Sequence, residues 1–258
     1  MFYRLLSTIR HPLIHAKDFM PWVKSSIPKI LWQICVPISL SNRESVHVDL
    51  GSGNTPRNPF GATRVIGTDF HSNFISPAGI EFVKVDLTRK LPFADSSLDS
   101  ISAYDVLEHI PRWERVDEEI VFPFVLLMNE IHRCLKPGGI FLGVTPAFPS
   151  ATSFQDPTHV NFISVATVGY FTGSSPLARE LEYGFKESFN LRCQTWVHGS
   201  HALPDPTSQL NLEYQRLTEK AKFIFSFRNR EKLFKLWKAN MLSKPSHLLW
   251  ILEKPANV

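Results

Sequence analysis

A chain of 258 residues, 43% of them hydrophobic, is long enough to bury a sizeable core as one large domain or two small ones. Its 28 basic and 24 acidic residues leave a formal charge of +4, too mild for the basic stripe of a nucleic-acid-binding domain, so no nucleic acid partner is expected. Cys35, Cys134 and Cys193 lie far apart without a CxxC pair, which speaks against a disulfide framework or a zinc site and for thiols that fill the core in a reducing compartment.

Residues 1–45 mix Arg4, Arg10, Lys17, Lys24 and Lys29 with Phe2, Tyr3, Phe19, Trp22 and Trp32. Pro12, Pro21, Pro28 and Pro37 break any long amphipathic helix there, so short helices packed on their own domain are expected, as an extension or cap. A peripheral contact with a membrane surface is the alternative for this basic, aromatic composition. No apolar run reaches the roughly 18 residues of a spanning helix, and a cytoplasmic protein is expected.

From residue 46 the pattern changes to short apolar runs that end in Gly, Asp or Asn and are separated by helix-length stretches, the signature of a parallel α/β sheet. Strands are predicted at 46–50, 63–69, 80–86 and 98–104. A helix is predicted over 117–135, where Leu126, Leu127, Glu130, Ile131 and Leu135 recur at helical spacing, closed by Lys136-Pro-Gly-Gly139. A fifth strand follows at 139–145, then a loop rich in Pro, Ser and Thr to residue 158, and strands at 191–197 and 247–253. Between these last two lies a basic segment at 210–239 with Phe223, Phe225, Phe227, Phe234 and Trp237, a helical insertion suited to a lid, an interface or membrane contact.

Open α/β sheets bind ligands beyond the carboxyl ends of their strands. Those ends carry Asp49 with the loop Gly51-Ser52-Gly53, then Asp69, then Asp86, then Tyr104 and Asp105. Glycines let the backbone turn tightly and approach a ligand, Asp69 can accept from two ribose hydroxyls, and Asp86 can accept from an adenine amine. A nicotinamide dinucleotide site would want G-x-G-x-x-G, but the third glycine is replaced by Pro56. Asp49, Asp69, Asp86, Asp105 and Glu108 at one sheet edge also oppose a pyrophosphate and suit a cation. Asp69 or Asp86 alone could equally be a cap or turn residue, and Glu108 is expected on a helix surface or at a cap.

The segments VDLGSGNTPRN, VIGTDF, VKVDL, LPFADSSLDSISAYDVLEHIP and LMNEIHRCLKPGGIFLGVTP, in this order over residues 46–145, resemble the class I S-adenosylmethionine-dependent methyltransferases, in the type 11-like subset with D-V-L-E-H after the fourth strand. The resemblance implies a Rossmann-like, doubly wound α/β fold: a seven-stranded, mostly parallel sheet of order 3-2-1-4-5-7-6, last strand antiparallel, helices on both faces. It places Asp49, Gly51, Gly53, Asp69, Asp86, Leu87 and Asp105 around S-adenosyl-L-methionine, with Ser52, Phe70 and Tyr104 beside them. Asn54-Thr55-Pro56 stands where many members carry another glycine. The chain then divides into the extension at 1–45 and a methyltransferase domain at 46–258 with its insertion at about 205–243.

Methyl transfer from a sulfonium is an in-line displacement, so alignment and exclusion of water dominate, and a hydroxyl acceptor adds the need for a base. The loop after the fifth strand borders the reactive end and holds QDPTHVNFIS, which resembles a segment of bacterial methyltransferases acting on surface polysaccharides and sugars. On that resemblance His159 is the base, Asp156 orients it or the substrate, and the acceptor is an oxygen of a sugar or glycan intermediate. The residues equally allow Asp156 to start a turn at Pro157 while His159 ties the loop down. His109 could face the pocket or simply pack. No spacing signature supports a metal site from Asp156, His159 and His109, and none is expected. The alternatives are methylation of a nitrogen or carbon of a small metabolite or lipid quinone, and a non-catalytic module that binds the cofactor and a partner. Oligomeric state is left open.

Overall fold

The computed structural model describes residues 40, 44–71, 80–197 and 246–256, all within one compact unit, Cys35–Val258. Residues 1–39 and 41–43 of the extension at 1–45, and the insertion at 205–243, lie outside the described residues.

Seven strands form one sheet: β1 (Val46–Leu50), β2 (Arg64–Asp69), β3 (Glu81–Lys84), β4 (Leu98–Tyr104), β7 (Leu135–Pro146), β8 (Asn190–Val197) and β9 (His247–Glu253). Their order is β3-β2-β1-β4-β7-β9-β8. The first five neighbours pair in parallel, while β9 runs antiparallel to both β7 and β8. This is the expected order, counted over the strands of this sheet. Its consequence for the site is geometric. The start of β9, His247, is paired with Pro146 and so comes to the edge where β4 and β7 end.

The central strands are buried on both faces, which is why β1 and β4 do not alternate cleanly. Several of the polar side chains in them are paired within the protein. Asp99 accepts from the Val46 amide and from Lys136 Nζ at 2.9 and 2.8 Å. His47 lies between Ser100 and Ser102, with its two ring nitrogens 2.8 and 2.9 Å from their hydroxyl oxygens. One core layer gathers Val48, Leu50, Ile101, Phe141 and Trp250 with Leu127, Met128 and Ile131; the other gathers Phe60, Leu142, Val144, Leu249 and Ile251.

Among the described residues the one long helix is α1 (Pro123–Cys134), shorter than the predicted 117–135. Residues 114–121 instead make a hairpin of β5 (Glu114–Val116) and β6 (Glu119–Val121), with Asp117 in the left-handed region at φ 55°. Asp is among the few residues that tolerate this conformation, and Pro123, which cannot sit inside a helix, takes the first helical position. The β1–β2 connection, residues 51–63, consists of turns and bends without a helix. Cys134 is free and buried, and Cys193 is buried as well.

Candidate active site

The β1 end is organised by a buried polar chain. Asp49 is fully buried; its Oδ1 accepts from the Ser102 hydroxyl at 2.6 Å and its Oδ2 from the Arg57 amide at 2.8 Å. Since Ser102 gives its only proton to Asp49, Nε2 of His47 carries the proton shared with Ser102, and Nδ1 accepts from Ser100. Burial pushes the Asp49 carboxyl up to about 6 and lowers His47 to about 3. Both oxygens of Asp49 thus bind the protein itself. The residue anchors loop 51–57, so its place in the expected cofactor set is at the base of the loop.

Gly51 and Gly53 both have positive φ, 62° and 54°. They differ in surroundings. A Cβ on Gly51 would lie 2.5 Å from Cγ2 of Val106, while one on Gly53 would meet nothing within 4 Å. Gly53 therefore opens onto free space at the sheet edge, and its amide donates to Oδ2 of Asp69 at 3.2 Å. Ser52 is buried, with its amide donating to the Thr68 carbonyl at 2.8 Å. Pro56, which replaces the third glycine, packs on Gly67 so closely that any Cβ there would overlap its ring.

Asp69 also accepts from the His71 amide at 3.0 Å, and Phe70 beside it is 61% exposed, with Lys84 Nζ 5.6 Å from its ring centroid. Asp86 is exposed and accepts from the amide and hydroxyl of Thr88 at 2.9 and 2.7 Å. Slight burial pushes its carboxyl up, but these Thr88 bonds and nearby Arg89 outweigh that and hold it below its ordinary value. Leu87 is half-buried against the core. Tyr104 is buried, with the Arg57 guanidinium 4.4 Å from its ring centroid. Asp105 adopts φ 51°, and its Oδ1 lies 3.1 Å from Nε2 of His247.

A second group lies beyond the ends of β4 and β7. Leu107–His109 form a single tight turn whose Glu108 carbonyl accepts from the amides of both Val160 and Asn161 at 2.9 Å. Buried Asn161 donates back to the Leu107 carbonyl at 3.1 Å and accepts from Nε of Arg112. Two segments some fifty residues apart are thereby clamped together, and the clamp brings His159 to Glu108. Glu108 is 1% exposed, not the surface or capping residue expected. Its Oε2 accepts from the Thr145 hydroxyl at 2.9 Å, and its Oε1 lies 3.9 Å from Nε2 of His159. Burial, together with the negative charges of Asp105 and Asp156, pushes its carboxyl up to about 8.

The histidine rings are fixed by their other nitrogens. Nδ1 of His159 is 3.2 Å from the Ser153 carbonyl, which can only accept, so Nδ1 carries the proton and Nε2 keeps its lone pair. Nδ1 of His109 meets the Thr158 hydroxyl at 3.0 Å and the Thr158 carbonyl at 3.3 Å. That hydroxyl donates to Asp156 at 2.6 Å, so Nδ1 of His109 is again the protonated nitrogen. The two rings meet edge to face at 4.9 Å.

The structure thus brings His109 and His159 together but leaves Asp156 one step away. Asp156 binds the amide and hydroxyl of Thr158, as the turn reading anticipated, and the carboxylate facing His159 belongs to Glu108. Sequence reasoning missed Arg57, Ser102, Gly67, Thr145 and His247. Of these only His247 had a usable signal: an antiparallel last strand must start at the edge where its parallel neighbour ends.

Residues 48–143 match the family model described as a methyltransferase domain. A protein of Mycolicibacterium smegmatis described as a probable S-adenosylmethionine-dependent methyltransferase is 30% identical over 89 residues, which is 33% of this chain and 30% of its own length. The matched part is thus less than a third of that relative. Among solved structures, an S-adenosylmethionine-dependent methyltransferase of Archaeoglobus fulgidus aligns with TM-score 0.45 and 15% identity over 91% of this chain and 94% of its own. Phosphoethanolamine N-methyltransferase 2 of Haemonchus contortus, solved with S-adenosyl-L-methionine, aligns with TM-score 0.41 and 17% identity over 90% and 52%.

The β1–β4 edge fits that cofactor on its own features. The backbone at Gly53 is open to a ligand, Asp69 and Asp86 offer acceptors in series, and the acids at 69, 86, 105 and 108 suit a molecule bearing a sulfonium and an ammonium. With the sheet order and the match over residues 48–143, these features identify that span as a methyltransferase domain of the class I, S-adenosylmethionine-dependent family.

Proposed function

We propose that the protein transfers a methyl group from S-adenosyl-L-methionine to a hydroxyl oxygen of a sugar or glycan intermediate. The cofactor supplies an electrophilic methyl carbon on a positively charged sulfur. As the carbon–oxygen bond forms and the carbon–sulfur bond breaks, S-adenosylhomocysteine leaves with the sulfur electron pair, and the hydroxyl proton must be taken up. The observation that carries this reading is the Glu108–His159 pair: a buried carboxyl 3.9 Å from an imidazole nitrogen that keeps its lone pair, on the loop expected to border the acceptor. A neutral amine already carries a free lone pair, whereas a hydroxyl acceptor must give up its proton as it is methylated. Phe148, Phe154 and Phe162 support a sugar: they are 57%, 56% and 40% exposed around the same loop, and the last two stack on each other at 4.9 Å, presenting apolar surface to a pyranose face.

The test uses methyl-labelled cofactor and a panel of nucleotide sugars and glycan fragments. Label recovered as a methyl ether is expected. Label on nitrogen or carbon, or none with any acceptor while the cofactor binds, overturns the reading.

A further inference from the structure

We propose that Glu108, His109 and His159 form a binding site for one divalent transition-metal cation, open on one side to the acceptor. One ligand atom from each of the three residues lies within 4.8 Å of the others. Two ligands about 2.0–2.2 Å from one ion lie at most about 4.4 Å apart. The Glu108 Oε1 to His159 Nε2 separation, 3.9 Å, lies inside that limit, and the set closes to tetrahedral ligand spacings of about 3.3–3.6 Å by side-chain movements on the order of 1 Å.

The supporting shell is in place. Metal-bound histidines usually give their other N–H to a carbonyl, hydroxyl or carboxylate, which fixes the ring and raises its basicity. Here His159 gives Nδ1–H to the Ser153 carbonyl, and His109 gives it to Thr158, whose hydroxyl is in turn held by Asp156. Glu108 has its other oxygen fixed by Thr145. Asp156, which the sequence grouped with the histidines, thus acts through Thr158, and Glu108 takes its place as the carboxylate ligand.

Charge points the same way. Among the described residues, the basic group recorded beside the buried Glu108 carboxyl is His159, itself one of the three ligands, so a bound cation would supply the counter-charge. His247, on β9, faces Asp105 and not Glu108. Two imidazoles and one carboxylate suit zinc, cobalt, manganese or iron, and three protein ligands leave a position for an outside oxygen. For its use, though not its existence, this site rests on oxygen methylation. A hydroxyl bound to the cation ionises more readily, its proton passing to solvent water, and His159 then serves as a ligand.

The full chain, stripped with chelator and dialysed, is titrated calorimetrically with Zn2+, and its Co2+ form is followed by visible absorption. One equivalent is expected, with a cobalt band typical of low-coordinate nitrogen and oxygen ligands. Glu108→Gln and His159→Ala are each expected to weaken binding at least about 100-fold, beyond the effect of removing an outer-shell partner. His109→Ala, on a half-exposed side chain, repeats the test where burial is less of a folding risk. Absence of stoichiometric binding, or binding unchanged in these folded variants, overturns the site. If chelated enzyme still methylates oxygen at full rate, the metal's use in the reaction is overturned while oxygen methylation stands; metal bound but label found on nitrogen or carbon gives the reverse.

Discussion

The loop after β1 and the cluster after β4 lie along one sheet edge and are built by opposite means. At Gly51–Gly53 the working parts are backbone conformation and the absence of side chains, held from below by Asp49, Ser102 and Arg57. At Glu108, His109 and His159 they are side chains, aimed by a clamp between segments some fifty residues apart in sequence. The first can be damaged by adding one methyl group. The second is damaged by removing a donor or acceptor.

The sharpest way to break the comparison is within the glycine loop itself. Gly51→Ala places a Cβ in the left-handed region, which costs about 1–2 kcal/mol, and drives it into Val106, which costs about 1–3 kcal/mol more. Gly53→Ala has the same backbone strain but open space, so only about 1–2 kcal/mol is expected. Urea unfolding of the two variants checks the ordering. Equal losses would mean that Val106 does not press on Gly51.

The buried carboxyl beneath the loop gives a smaller, pH-dependent effect. The Asp49 value is raised from 3.8 to about 6 in the fold, so between those limits the folded state binds more protons than the unfolded. Its contribution to stability therefore falls as pH rises through that window, by about 3 kcal/mol, and is level above it. His47 acts in the opposite sense, losing stability as pH falls below 6.5, so the Asp49 part is read as the difference from Asp49→Asn. Asn keeps an oxygen for the Arg57 amide and can donate to Ser102, so the variant is expected to fold and to remove this slope. A difference that does not vary with pH would show that Asp49 titrates normally.

The contrast also explains what could be read from sequence. Strand ends, glycines and acids in series are local features, and they placed Asp49, Gly51, Gly53 and Asp69 along one edge. Strand order followed, with β1, β4 and β9 matching the predicted limits. The hairpin at 114–121 was lost to helical spacing because nothing local distinguishes Asp117 as a turn until its left-handed backbone is seen. Glu108 was misjudged as a surface group because its burial depends on Val160 and Asn161, far along the chain. Pairings of this kind, like Ser102 with Asp49, become visible only once the strands have a register.

The most direct test of the cofactor site is calorimetric titration of the protein with S-adenosylmethionine and S-adenosylhomocysteine, repeated on Asp69→Ala. Micromolar binding, weakened about 10- to 100-fold by the loss of a charge-assisted acceptor, is the expected result. A folded wild-type protein that binds neither ligand would contradict the assignment and leave the glycine loop a structural turn.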